Sequence, residues 1–350
     1  MSDATNHLRV LVFGAGAIGT YVGGSLALQG NPVTFVEKPE IARQLRQRGL
    51  ELQTGEKKQK ISDPDIVGSI PEALEKGPFD VAIFALKSFD TRSALDDLAS
   101  YQENIPPILC LQNGVENESQ IAQTLGETKT IAGTVTSAIG RDGAGDVHVE
   151  RLRGMGVVAG HPLSARLVAA FNQAGLNARL YSYATDMKWS KMLTNLLANA
   201  SSAILDMSPG EIFEHPRLFK VEVRQLREAL QVMAAQKIQV VDLPGTPIRA
   251  LALAVRSLPA AIARTLLKNA VASGRGGKMP SFHVDLHGGR GITEVDYLNG
   301  AVVRFGEQTG VPTPVNRFLN ETLQAITTGK LDAAKYSRQP EMLIEQIGLG

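Results

Sequence analysis

The sequence predicts an α/β protein: an N-terminal Rossmann-type, doubly wound parallel sheet followed by an all-helical C-terminal domain. Three observations carry this. Short β-branched runs alternate with helical stretches from Leu8 to about Thr185. A glycine-rich turn follows the first of those runs. After about Asp186 the strand pattern fades and long helical periodicities take over. The division expected is 1–184 for the sheet domain and 185–350 for the helical domain.

In order, the strands expected are Val10–Phe13, Val33–Val36, Val81–Leu86, Ile108–Leu111, Ile131–Val135 and Val157–Ala159. Each is short, bounded by Gly, Pro, Asp or Asn, and apolar nearly throughout, as strands covered on both faces must be. Ala17–Gln29 and Ile41–Gly49 read as helices between them. The later helices are Met187–Leu205, Pro216–Gln236, Pro247–Asn269, Thr293–Gly310 and Pro314–Thr327. Ser273–Lys278 and Gly288–Gly291 read as flexible connectors, and the first is expected to move when ligand binds.

Composition narrows the function. The chain has 350 residues, 43% hydrophobic and 20% charged, which is globular. With 36 Lys+Arg against 35 Asp+Glu, the net charge of +1 gives no reason to expect nucleic acid. A single cysteine, Cys110, cannot build a disulfide or a thiolate cage. No apolar run reaches the ~18 residues of a membrane span. The opening Met-Ser-Asp-Ala-Thr-Asn-His lacks a signal-peptide pattern, so a cytoplasmic protein is expected. The helical half carries enough apolar surface for a homodimer, although an internal core would use the same residues.

The turn after the first strand is Gly14-Ala15-Gly16-Ala17-Ile18-Gly19. The first glycine permits the turn, the second lets a pyrophosphate approach, and the third allows close helix–strand packing. The following helix N-terminus offers N–H groups to phosphate. Glu37 lies 23 residues after Gly14, where an acid hydrogen-bonds a ribose 2′-OH and disfavours a 2′-phosphate. Lys38 beside it attracts that phosphate, so NAD and NADP both stay open. Lys87 and Asn113-Gly114 end two further strands, where open α/β sheets bind ligands.

The most informative segment is Trp189–Ser202. At about 100° per residue, Lys188, Lys191, Asn195, Asn199 and Ser202 fall within an arc of about 80°. A merely solvated face would carry Glu, Lys, Arg and Gln, whereas Asn forms helix interiors poorly. Asparagines in register with a lysine suit a small polar ligand. A lysine ammonium can donate a proton to a ketone and stabilise the developing alkoxide.

Together, Gly14–Gly19, Leu86-Lys87, Asn113-Gly114, Trp189-Ser-Lys191 with Asn195 and Asn199, Ser281, and Thr293-Glu294 through Asn299-Gly300 resemble the ketopantoate reductases (2-dehydropantoate 2-reductases) along nearly the whole chain. The resemblance implies NADPH-dependent reduction of 2-dehydropantoate to (R)-pantoate, a step of pantothenate and coenzyme A synthesis. It implies Lys191 as proton donor, with Asn113, Asn195, Asn199 and Ser281 on the substrate. Asn113 would also touch the nicotinamide side, and Glu294 would lie against cofactor and substrate and help keep Lys191 charged. Lys38 and Lys87 match positions that meet the NADP 2′-phosphate. Three departures stand out: Glu37 before the basic position, extra residues in about 242–278, and Pro209 where some members carry an asparagine.

Two residues have simpler readings as well. Glu294 lies in Thr293-x-x-Asp296, which resembles a capping box, and Ser281 follows Pro280 as a helix cap would. His283 and His287 share a helix face, but no third ligand is evident, so no metal is expected. Other functions consistent with the pattern are a related 2-ketoacid reductase, a β-hydroxyacid dehydrogenase, or a non-enzymatic dinucleotide sensor.

Overall fold

This computed structural model describes residues 7–258, 264 and 279–348. The chain forms two compact units, Met1–Lys188 with Leu243–Thr246, and Trp189–Asp242 with Pro247–Gly350.

The first unit is built on an eight-stranded sheet of β1 (Val10–Phe13), β2 (Val33–Val36), β5 (Asp65–Val67), β6 (Val81–Phe84), β7 (Ile108–Cys110), β8 (Thr130–Val135), β11 (Met155–Val158) and β12 (Ala178–Tyr181), in the order β12-β11-β8-β7-β6-β1-β2-β5. Val10 lies in register with Val33 on one side and Val81 on the other, both pairings parallel. All four residues of β1 and of β6 are buried, because helices cover both faces. Every pairing is parallel except β8 with β11, so the sheet is mixed rather than wholly parallel. β1 passes through the glycine turn into α1 (Ala17–Leu28), and β2 leads to α2 (Pro39–Arg48).

Six strands escape a search for apolar runs: β5 and β12, at the two edges of this sheet, and four more outside it. β3 (Leu50–Thr54), β4 (Lys57–Ile61), β9 (Ala138–Gly143) and β10 (Asp146–Arg151) form a separate sheet in the order β4-β3-β10-β9. They bury single residues such as Leu50, Leu52 and Val147 between polar ones that are partly buried or exposed. That is the alternation of a half-solvated sheet.

The second unit is helical. Its first helix, α3 (Ala184–Leu196), begins in the first unit. The single helix expected over Met187–Leu205 is broken: Leu197 and Ala198 form a turn, Ala198 has φ +48°, and α4 (Asn199–Leu205) begins anew. No proline or glycine causes this. The cause is Glu222, in α5 (Pro216–Ala235), whose buried carboxylate accepts from Ala198 N–H at 2.7 Å and Ser201 Oγ at 2.6 Å. Gln225 Nε2 donates to the same carboxylate at 2.6 Å and reaches the Leu196 carbonyl at 3.3 Å. The side chain thus satisfies groups that a helix break leaves unpaired.

The next acid on that face of α5 does the same elsewhere. Glu228 accepts from the N–H groups of Val315 and Asn316, both at 2.9 Å, at the start of α8 (Pro314–Thr327). Burial pushes its carboxyl up, against the lowering effect of these bonds. Between them, α6 (Ser281–Asp285) and α7 (Val295–Thr309) complete the helices used below. The Trp189 and Phe305 rings meet edge to face at 5.3 Å and tie α3 to α7.

Other expectations shift. Of the helix expected over Pro247–Asn269, Ile248–Ser257 is formed. The rest lies largely outside the described residues, as does the Ser273–Lys278 connector. Gly288–Gly291 is no plain connector, since Leu286–Arg290 forms a π-helical turn with Gly289 at φ +83°. Leu243–Thr246, within the extra segment, belongs to the first unit, where Thr136 Oγ1 donates to the Pro244 carbonyl at 2.9 Å.

Replacing Glu222 with Ala removes the acceptor from three buried donors at once. Unfolding in urea is expected to show a loss of about 2–3 kcal/mol. An unchanged midpoint would mean that the break is held by something else.

Candidate functional site

In the first unit, Gly14 has φ +93°, a conformation that favours glycine. A Cβ on Gly19 would stand 1.8 Å from the Gly14 carbonyl oxygen, so the turn closes only without one. Gly16 differs. It is the N-cap of α1, its φ of −76° suits any residue, and a Cβ there would meet nothing within 4 Å. The protein's own packing does not require glycine at Gly16. No side chain caps the helix there, which leaves its N-terminal N–H groups open to a phosphate. The loop Gly14, Ala15, Gly16, Ala17, Ile18 and Gly19 therefore fits a dinucleotide.

Glu37, at the end of β2, is turned to this loop. Its Oε1 accepts from Ala15 N–H at 2.6 Å and its Oε2 from Lys38 N–H at 3.1 Å. Lys38 is exposed at the start of α2. The turns after β6 and β7 are bound together. Ser88 Oγ and Asn117 Nδ2 donate to the Asn113 carbonyl at 2.9 and 2.6 Å, and Gln112 Nε2 to the Lys87 carbonyl at 3.3 Å. Lys87 and Asn113 are both partly buried, and Gly114 takes φ +90°.

Lys188 leaves the polar arc that periodicity assigns it. It is buried, donates to the Gln112 carbonyl at 2.7 Å, and pairs with Glu118 at 2.7 Å. Burial works against its charge, but Glu118 outweighs that and holds its pKa above the ordinary lysine value. Cys110 is inert for a related reason: burial pushes its thiol far up.

In the second unit, partly buried Lys191 and Asn195 stand one turn apart on α3. Asn199 lies beyond the break and is almost fully buried. Its Oδ1 accepts from Phe282 N–H at 3.0 Å, while Nδ2 donates to the Asn195 carbonyl at 3.0 Å and Ser281 Oγ at 3.3 Å. Asn199 thus caps α6 from another helix, and Ser281 is its first residue rather than its cap. The cluster joins Asn195, Asn199 and exposed Ser281. Glu294, 2% exposed, is the N-cap residue of α7, yet no side chain caps that helix. The Thr293–Asp296 capping box does not form. Asp296 pairs instead with Arg304 at 3.1 Å.

Sequence reasoning missed Glu222. The available signal was Glu222, Gln225 and Glu228 recurring every three residues, all buried, on an otherwise apolar helix face. It also found no third ligand for the two histidines. The fold supplies one in Asp206, whose Oδ1 lies 2.7 Å from His283 Nε2 across 77 residues of sequence.

A Rossmann-type sheet with a dinucleotide loop, joined to a helical unit carrying a lysine–asparagine cluster, defines an oxidoreductase that uses a nicotinamide dinucleotide. The family described as ketopantoate reductase PanE/ApbA matches residues 10–159, and its C-terminal counterpart matches 184–327. The chain belongs to the ketopantoate reductase family, oxidoreductases acting on CH–OH groups. A 2-dehydropantoate 2-reductase of Halobacterium salinarum is 27% identical over 326 residues, 91% of this chain and 98% of that protein. A PanE/ApbA family ketopantoate reductase from Ralstonia eutropha superposes with a TM-score of 0.76 at 26% identity, covering 92% of this chain and 99% of the other. D-mandelate dehydrogenase, solved with NADH and anilino(oxo)acetate, gives a TM-score of 0.75 at 25% identity, with 91% and 98% covered. No helix among the described residues is long and apolar enough to cross a membrane.

Gly16→Ala is expected to leave the urea midpoint unchanged while weakening dinucleotide binding by about tenfold, equivalent to ~1.4 kcal/mol. Fluorescence titration with NADPH and NADH measures this. Unaltered affinity for both would remove Gly16 from the phosphate cradle.

Proposed function

We propose that the chain reduces 2-dehydropantoate to (R)-pantoate with NADPH, the step that supplies pantoate for pantothenate and coenzyme A. The observation that carries this reading is Lys191 one turn before Asn195, with Asn195, Asn199 and Ser281 hydrogen-bonded together, in a member of this family. The bound dinucleotide supplies a hydride to the keto carbon. Lys191 donates a proton to the carbonyl oxygen, and its charge stabilises the alkoxide as it develops. Asn195 and Ser281 orient the substrate's oxygens, and Asn113 is assigned to substrate and nicotinamide binding. Asn199 has its amide committed, so it acts as a positioning residue through Ser281. Glu294 is assigned to the same site, against cofactor and substrate. On this reading Gly14–Gly19 hold the pyrophosphate, and Lys38 and Lys87 meet the 2′-phosphate.

A specific observation favours a second reading, with NADH. The Glu37 carboxylate lies against the glycine loop, 2.6 Å from Ala15 N–H. There it would accept from a ribose 2′-OH and repel a 2′-phosphate. D-mandelate dehydrogenase, which the chain resembles throughout, was solved with NADH.

Steady-state kcat/KM decides both questions. Ketopantoate is expected to be reduced in preference to 2-ketoisovalerate, and NADPH to exceed NADH as donor. Glu37→Gln is expected to raise the NADPH/NADH ratio by about tenfold, or ~1.4 kcal/mol. A clear NADH preference in the unmutated protein establishes the second reading. No turnover of any 2-keto acid with either nucleotide would overturn the reductase assignment.

A further inference from the structure

We propose that Asp206, His283 and His287 form a binding site for one divalent transition-metal ion of the Zn²⁺ type, separate from the hydride-transfer chemistry. The three residues come from two stretches of the second unit. Asp206 is the C-cap of α4, His283 lies in α6, and His287 lies in the π-helical turn that follows. One ligand atom from each lies within 4.8 Å of the others. The imidazoles are stacked, with centroids 4.2 Å apart and planes at 29°.

Three features fit a metal better than a surface polar cluster. The donor set is two imidazole nitrogens and one carboxylate oxygen, which suits Zn²⁺ and its first-row neighbours rather than Ca²⁺ or Mg²⁺. Bonds of about 2.0–2.2 Å in tetrahedral geometry place ligands roughly 3.4 Å apart, within reach of this spread by side-chain rotation. Asp206 is a non-glycine residue held at φ +50°, and His287 sits in a π-helical turn. Both are uncommon conformations that concentrate at functional sites.

The site has three protein ligands and leaves a fourth position for water or another donor. Its consequence is local. α4 begins at Asn199 and is capped at its C-terminus by Asp206, and α6 begins at Ser281 and carries His283. An ion bridging Asp206 and His283 fastens the two helices that the Asn199–Ser281 bond already joins. The metal would thus fix the setting of Ser281.

The test uses untagged, full-length protein stripped with a chelator and titrated calorimetrically with Zn²⁺ alone at pH 7.5. The expected result is one equivalent bound per chain with micromolar or tighter affinity. His287→Ala and Asp206→Asn should each weaken binding at least tenfold, whereas His7→Ala, distant in sequence and exposed, should not. Tm should rise with Zn²⁺ in the unmutated protein and not in His287→Ala. Because His287 is exposed, its loss is not expected to impair folding. Absence of stoichiometric binding to the unmutated protein overturns the proposal. So does unchanged affinity in either His287→Ala or Asp206→Asn. These outcomes are independent of turnover, so failure of the reductase reading would leave them interpretable.

Discussion

The arrangement of the helical unit depends on one buried carboxylate. Glu222, 1% exposed, would be costly in that position without partners. It finds them in the Ala198 N–H, the Ser201 hydroxyl and the Gln225 amide. Those bonds hold a helix break that nothing in the local residues demands. Because of the break, Asn199 is removed from the line of Lys191 and Asn195. It turns to α6, where it caps Phe282 N–H and binds Ser281. A continuous helix would instead have given three polar side chains in one stripe. The break gives two on the stripe and a third that recruits a serine from a segment some 80 residues away.

The two lysines of α3 sit in different surroundings. Lys188 and Lys191 are three residues apart and similar in sequence context. Lys188 is buried, paired with Glu118 and bonded to the Gln112 carbonyl, so its charge is spent on holding the first unit together. Lys191 is only partly buried and stands beside Asn195. A proton donor must remain reachable by substrate, and of the two lysines Lys191 meets that condition. The glycines divide in the same way. Gly14 and Gly19 answer to the backbone of the turn, whereas a side chain at Gly16 would meet nothing in the protein.

The fold class was legible because β1, β2, β6 and β7 are apolar on both faces and because the glycine spacing encodes a backbone constraint. The sheet formed by β3, β4, β9 and β10 was not, since half-solvated strands such as Lys57–Ile61 read as surface. Within the candidate site, the Lys191–Asn195 step was visible as periodicity. The cap that Asn199 provides to α6 was invisible, because it arises from Glu222 acting across the fold. The same limit hid Asp206 from His283 and His287. Long-range partners leave little trace in spacing, although Glu222, Gln225 and Glu228 on one helix face did signal a buried polar line.

The most direct measurement is kcat for Lys191→Ala with ketopantoate, taken together with its dinucleotide affinity. If Lys191 is the proton donor, kcat falls by about 10³-fold, within the range of general acid catalysis, while the dinucleotide Kd stays within twofold. A kcat within tenfold of the unmutated protein would contradict the assignment of the chemistry to Lys191.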